Sequence, residues 1–360
     1  MKQSVQEFAR ASASRHNARS LSGLTIRNAA GDINETSLGY QIAIDTLTFI
    51  KKQITEQKFY EVAPADYIPI AVGDGAFAQA ILTNLTVSSA RDFETGIIDQ
   101  GVANDRLESA DAAISSKTAV VANWAKAVQY SVFEIEQALM SNNWDMIESK
   151  HRARKKNWDL GIQKVAFLGI LSDQTNFPGL LTQSQTNVNS DIVTIQESIS
   201  SMSAAQFSTF VSLVVASYQA NCNYTAMPTH FVIPQSDWLG LASPVSSQYP
   251  FNSKLEFLKK AFDEIVPGGI KILPTIYGMP NYNQAVVNTG VGISRYAMYR
   301  YDPESLRMDI PVDYTVTQPN SLNNFNFQDA GYGQFTSPIV LRNLELEYFD
   351  YAYSFNPGVV

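Results

Sequence analysis

Apolar positions recur along this chain with two different periods, and the changes from one to the other outline its elements. Residues 36 to 58 place Leu47, Ile50 and Ile54 at three-to-four spacing, which predicts a helix. "DYIPIAVGDG" then reads as a short extended piece closed by a Gly-Asp-Gly turn. "AQAILTNLTVSS" and "KTAVVANWAKAVQYS", separated by about thirty mostly polar residues, read as the two strands of a long hairpin. Ser131 with Glu134 three positions on is a helix-start signal of the capping-box kind, and Asn142 or Asn143 offers a second. Trp144, Ile147, His151, Arg154, Trp158, Ile162 and Val165 fall at three-to-four spacing with no proline before Gly169. They predict one continuous helix of about 39 Å at ~1.5 Å per residue.

Beyond that helix, "FPGLL" ends in a turn and residues 190 to 221 read as helices around "AAQFSTFVSLVVASYQA". "THFVIP" reads as a strand, "SDWLGLA" and "SKLEFLKKAFDEI" as capped helices, and "GGIKILPTIYG" as a strand again, with Ser236 and Asp237 as the cap of their helix. From 284 onward the pattern is short strands divided by Pro, Gly and Asn. The class is therefore α+β.

Composition narrows the function. With 360 residues, 45% hydrophobic and 17% charged, the chain can bury a substantial core in one large or two modest domains. A net charge of -8 opposes a surface built throughout for polyanions. The first thirty residues lack a signal-peptide core, and no run reaches the ~20 apolar residues of a membrane span, so the expectation is a soluble chain made in a cytoplasm, with no membrane partner. Cys222, the single cysteine, makes no internal disulfide and no multi-thiolate metal site.

Charge is unevenly distributed. Residues 1 to 31 carry Lys2, Arg10, Arg15, Arg19 and Arg27 against Glu7. Residues 59 to 116 hold nine acids and no lysine, among them Asp92, Glu94, Asp99, Asp105, Glu108 and Asp111. The opposite extreme is "ESKHRARKK", where Lys150, His151, Arg152, Arg154, Lys155 and Lys156 crowd the middle of the long predicted helix. Because those side chains wrap most of the way round a helix, and the apolar spacing runs through His151 and Arg154, some of them must meet protein.

Signals for chemistry are sparse. Gly73, Gly75 and Ala78 have dinucleotide-fingerprint spacing with Asp92 or Glu94 following, but no buried second strand leads to those acids, so the turn reading prevails. His16, His151 and His230 lack the short spacing of a metal motif. Glu345 and Glu347 fall on one strand face, opposite Leu344, Leu346 and Tyr348, and read as a polar face rather than an acid/base pair. No cofactor motif is present.

The order of segments resembles the tailed-bacteriophage major capsid proteins of the Hong Kong 97-like fold. The stretches that carry the likeness are "YIPIAV", "DFETGIIDQG", "VQYSVFEIEQALMSN", "FPGLL", "HFVIPQSDWLGLASPVS" and "KLEFLKKAF", spread over about two thirds of the chain. One departure is Thr182, where the family pattern has asparagine. The resemblance implies an N-terminal arm and helix over 1–61, an extended β-hairpin loop over 62–126, a peripheral domain with a long spine helix over 127–189, an axial domain over 190–310, and returning strands of the peripheral domain over 311–360.

The function it implies is a non-enzymatic subunit that assembles with itself, in pentamers and hexamers, into an icosahedral head shell around double-stranded DNA contacted weakly and without sequence specificity. Portal, separate scaffolding and decoration proteins are the further partners it implies. The setting is a virion capsid assembled in a bacterial host cytoplasm. An opening at Met1 with the basic arm carries the expectation that no N-terminal segment is removed. The lysine-to-asparagine crosslink of one family member has no counterpart, since no lysine lies between Lys58 and Lys117. The expected assembly contacts are Lys150, Arg152, Arg154, Lys155 and Lys156 of one subunit, part of the cluster docking the acidic 92–111 segment of another while the rest faces the lumen. An encapsulin-type nanocompartment shell and an α/β enzyme with an unrecognised site are the competing readings.

Overall fold

The computed structural model describes residues 57–88, 112–140, 146–189, 198–246, 249–287 and 293–352. The helix expected at 36–58, the basic arm, the helix start at Asn142 or Asn143, and all of Asp92, Glu94, Asp99, Asp105, Glu108 and Asp111 lie outside the described residues, as does almost the whole of 1–61.

A short strand β1 (Ile70–Val72) enters a turn in which Gly73 and Gly75 take φ of 97° and 77°, and the chain continues into strand β2 (Ala80–Ser88) rather than a helix. β2 pairs antiparallel with the 20-residue β3 (Ala112–Ser131), from Ala80 opposite Val120 to Ser88 opposite Ala112, as the predicted hairpin requires. Helix α1 (Val132–Met140) begins on the expected box: the Ser131 amide donates to Glu134 Oε2 at 3.2 Å and the Glu134 amide to Ser131 Oγ at 3.3 Å. Helix α2 (Met146–Leu168) is continuous over 23 residues and stops at Gly169, whose φ of 75° leaves the helical region.

The chain then turns through "FPGLL". Thr182 replaces the family's asparagine without loss of the turn, because its hydroxyl accepts from the Gly179 amide at 2.7 Å and donates to the Leu168 carbonyl at 3.2 Å. The remaining elements run β4 (Asn187–Asn189), α3 (Ala204–Asn221), β5 (His230–Pro234), α4 (Gln235–Gly240), β6 (Pro244–Ser246), β7 (Tyr249–Ser253), α5 (Lys254–Ile265), β8 (Lys271–Thr275) and α6 (Pro280–Val287). They end with β9 (Ile293–Tyr299), β10 (Leu306–Ile310), β11 (Val312–Val316), β12 (Asn320–Ser321), β13 (Asn326–Thr336), β14 (Ile339–Val340) and β15 (Leu346–Ala352). The strand pattern expected from 284 is thus delayed, since α6 reaches Val287.

Two larger sheets organise these elements. In the first, β11, β13, β3 and β2 lie side by side; β13 pairs with the second half of β3, and β2 with the first. In the second, the order is β4-β15-β9-β5-β8. The closing strands of 311–360 divide between the two sheets, β11 and β13 lying in the first and β15 in the second. β15 is a central strand of the second sheet, between β4 and β9.

The second sheet divides two cores, and the period of two along each strand shows it. Val232, Ala297, Tyr299, Leu346 and Tyr348 face a core shared with Trp158, Ile162 and Phe167 of α2. Phe231, Ile233, Tyr296, Met298 and Phe349 face a second core against α3 and α5. A strand apolar on both faces is what such a position needs, and all five residues of β5 are buried.

This placement corrects two expectations. Glu345 ends a short 3-10 turn rather than lying on a strand, and both it and Glu347 are buried instead of forming a solvated face. Glu347 Oε1 accepts from Asn189 Nδ2 at 3.0 Å and from Ser217 Oγ at 2.8 Å; Glu345 bonds to Ser305 and to Arg342. Asp237 does not cap its helix, which starts at Gln235 after Pro234. It is buried, accepting from the Tyr296 hydroxyl and, at 3.1 Å, from Ser200 Oγ, and burial raises its pKa against the pull of these bonds.

Candidate assembly surfaces

Helix α2 crosses the first sheet, and its basic residues divide according to the face they occupy. Arg154 lies in the stripe with Ile147 and Trp158, which turns it inward, and its side chain is 2% exposed. Its Nη2 donates to Asp329 Oδ2 at 2.7 Å, Nη1 to the Asp329 carbonyl at 3.0 Å, and Nε to the Tyr314 hydroxyl at 2.8 Å. His151 Nδ1 stands 3.5 Å from the same carboxylate. Within its own chain, Arg154 thus bonds to strand β13 and strand β11.

The other basic residues stay nearer to solvent. Lys150 Nζ lies 2.9 Å from Glu134 Oε1, which holds that carboxyl below its ordinary pKa, and it also reaches the Gln129 carbonyl at 3.1 Å. Glu134 thus ties the start of α1 to α2. Arg152 pairs one turn back with Glu148 at 2.5 Å, and Lys156 pairs with Glu61. Exposed pairs of this kind contribute about 0–1 kcal/mol each. Lys155 is exposed, and its charge together with that of Lys156 offsets the burial that raises the Asp159 carboxyl.

Between α2 and β3 lies an open cleft of about 320 Å³ lined by Lys126, Gln129, Lys150, Ala153 and Arg154 among others. Lys126 was not among the sequence candidates. Its signal was its strand register: β3 runs under the basic turn of α2, a juxtaposition that periodicity along one strand does not disclose.

The hairpin provides the other surface. On one face Leu85 and Ala119 pack against Ile339 and Leu341. Lys117 Nζ reaches across on that side to the Val340 carbonyl at 2.5 Å and Asn343 Oδ1 at 2.7 Å, and Arg307 Nη2 donates to Thr83 Oγ1 at 2.7 Å. On the opposite face Leu82, Val120 and Ile114 are 60%, 38% and 74% exposed. So the root of the hairpin is fastened to its own chain through one face and presents the other. A second apolar group, Phe133, Leu322 and Phe325, is exposed where α1 meets the β12–β13 turn, with the two Phe rings 5.1 Å apart.

Among the described residues no group of His, Cys, Asp and Glu could hold a metal ion, and no helix is long and apolar enough to cross a membrane. Cys222 is buried, with Sγ 3.2 Å from the Ala226 carbonyl.

Two sheets, two apolar cores and a half-covered hairpin set the frame for comparison with known proteins. The chain belongs to the Major capsid protein family, whose model matches residues 96–351. Among solved structures it is similar to the capsid of Myoviridae phage XM1, with a TM-score of 0.65 and 16% identity over 85% of this chain and 97% of that one. It is also similar to a Gordonia phage Cozz chain (TM-score 0.52, 10% identity, 92% and 99% covered) and to the capsid of a native GTA particle (TM-score 0.51, 12% identity, 86% and 96% covered). A search of curated proteins finds no match. The fold is the α+β Hong Kong 97-like capsid fold.

Proposed function

We propose that copies of this chain assemble, as pentamers and hexamers, into the icosahedral head shell of a tailed bacteriophage enclosing double-stranded DNA. The observation that carries this reading is the β2–β3 hairpin. Its nine paired positions on β2 are ordered, yet only one face is buried by its own chain, while Leu82, Val120 and Ile114 stand in water on the other. Ordering backbone costs about 1–2 kcal/mol per residue, and a half-covered two-stranded ribbon returns little of it in a free monomer. In a closed shell the open face is covered by another subunit, and many modest contacts add through multivalency.

The division of labour follows the same reading: an arm and helix over 1–61, the extended loop over 62–126, a peripheral domain with its spine helix over 127–189, an axial domain over 190–310, and returning strands over 311–360. The basic residues left near the surface of α2, Lys150, Arg152, Lys155 and Lys156, are the proposed contacts for the acidic 92–111 segment of another copy. The role is structural, not catalytic. A net charge of -8 lets packaged DNA slide along the wall without tight binding. Portal, separate scaffolding and decoration proteins are the proposed partners, and the bacterial cytoplasm the proposed place of assembly.

Electron microscopy of the expressed full chain, alone and with its scaffolding protein, tests this. Closed icosahedral shells are the expected result; a small oligomer of fixed size under all conditions would overturn it.

A further inference from the structure

Among the described residues four that are not glycine take positive φ: Phe77 at 62°, Asn223 at 52°, Tyr224 at 59° and Asn324 at 58°. Asparagine tolerates this region because its short side chain bonds locally, but a bulky aromatic does so only under strain. The two aromatics are also far out in solvent, Phe77 being 74% and Tyr224 77% exposed. Packing on the ring therefore does not hold either conformation in place.

The backbone holds it instead. The Phe77 amide donates to Gln334 Oε1 at 2.7 Å, and Gln334, itself 7% exposed, is fixed by donating from Nε2 to Asn123 Oδ1 at 2.6 Å. The preceding residues fold back through Gly73 and Gly75, with the Ala78 amide on the Gly75 carbonyl at 3.0 Å. Tyr224 follows the end of α3, where its amide donates to the Gln219 carbonyl at 2.8 Å. Helix ends of this shape ordinarily take glycine or asparagine. In both places a glycine would satisfy the backbone with less strain, and rings this exposed bury little surface to offset the difference.

We propose that Phe77 and Tyr224 are pre-aimed aromatic anchors that insert into apolar surface of a second copy of this chain. The inference rests on the shell reading above and adds to it two named contact residues. The occupant follows from that reading: in a shell every copy is bordered by identical copies, and a protruding ring repeated on each of them meets a neighbour by a heterologous contact. Rigid aromatics in desolvated pockets are the side chains that dominate such interfaces.

The test uses the purified full chain and the substitutions Phe77→Gly and Tyr224→Gly, with Phe77→Tyr and Tyr224→Phe as ring-keeping controls. Melting of the unassembled subunit and assembly against protein concentration, by sedimentation velocity and electron microscopy, are read together. The glycine variants should melt at or above the wild-type temperature, since strain is relieved, yet need at least about tenfold more protein to assemble, the scale of one lost hot-spot residue. The ring-keeping variants should assemble as wild type. Glycine variants that assemble at the wild-type concentration would overturn the proposal, including the case in which the rings serve a different protein. A lowered melting temperature would also overturn it, because the rings would then be serving their own subunit. If wild type assembles and the glycine variants match it, only this inference fails. Wild type that never self-associates sinks the shell reading first and this one with it.

Discussion

Arg154 Nη2 and Asp329 Oδ2 lie 2.7 Å apart with both side chains 2% exposed, so α2 is locked to the middle strand of the first sheet by a buried ion pair. Such a pair is worth little against a well-packed apolar substitute, but breaking it leaves a charge stranded in a low-dielectric site. Asp329→Ala should therefore destabilise the subunit by about 3–5 kcal/mol in urea denaturation, while the double variant Arg154→Met, Asp329→Leu should recover most of that loss. Equal destabilisation by the single and the double variant would show that packing, not the stranded charge, sets the cost.

Close approach of the helix to β13 depends on two glycines. A Cβ at Gly333 would stand 2.5 Å from the Trp158 ring, and one at Gly331 would stand 2.8 Å from Tyr314 and 2.9 Å from Arg154 Nε. Gly333→Ala should cost about 1–3 kcal/mol, the scale of overpacking in a filled core, and shift the Trp158 fluorescence as the ring is displaced. Unchanged emission and stability would mean that the helix sits further from the strand than these contacts require.

The long helix, the hairpin, the box at Ser131 and the capped helix after Ser253 were legible because each is decided within a few residues: apolar spacing, strand alternation, and a side chain three positions from its amide. The inward turn of Arg154 was half legible, since the stripe already passed through it, but its partner is 175 positions away. The burial of Glu347 was not legible for the same reason. Whether a strand with alternating acids is an edge or a centre depends on which neighbours arrive, and here they come from Asn187–Asn189 and Ile293–Tyr299. Asp237 looked like a cap because caps and buried acceptors use the same residue type, and only the approach of Tyr296 separates them. The family likeness came from segment order, which survives when side-chain detail such as Thr182 has drifted.

His230 titrates in a tight setting. Its ring lies between Tyr299 and Tyr301, at 5.7 and 4.7 Å between centroids, and burial first, then Lys271, lowers its pKa to about 4, with Asp66 pulling the other way. The folded state thus prefers neutral imidazole. Stability from this group is complete above the unfolded value near 6.5 and is lost as pH falls from there toward 4, by at most about 3 kcal/mol at ~1.36 kcal/mol per unit. The difference in stability between wild type and His230→Phe, measured from pH 7 to 4, should carry that slope. A flat difference would place the imidazole in solvent.

The acidic segment contains no lysine between Lys58 and Lys117, so it offers no amine for a covalent link of the kind one family member uses. Shells of this protein should dissociate under denaturing electrophoresis to one band at 39.8 kDa. Ladders of linked subunits would contradict this.

The basic turn of α2 also carries Arg152, Lys155 and Lys156, of which Arg152 pairs with Glu148 and Lys156 with Glu61, both exposed carboxylates. Reversing all three to glutamate should lower the subunit's stability by no more than about 2–3 kcal/mol, because the two pairs it breaks and the like-charge neighbours it creates are screened by water. Assembly should respond far more: an acidic segment of a neighbour would meet three negative charges where it had three positive ones, and like charges brought together at an interface cost several kcal/mol. The expected result is a folded variant that forms few shells even without DNA, with partial recovery at high salt as the repulsion is screened. Empty shells forming at the wild-type rate, with only DNA content altered, would instead assign this face to the lumen and its charges to phosphate.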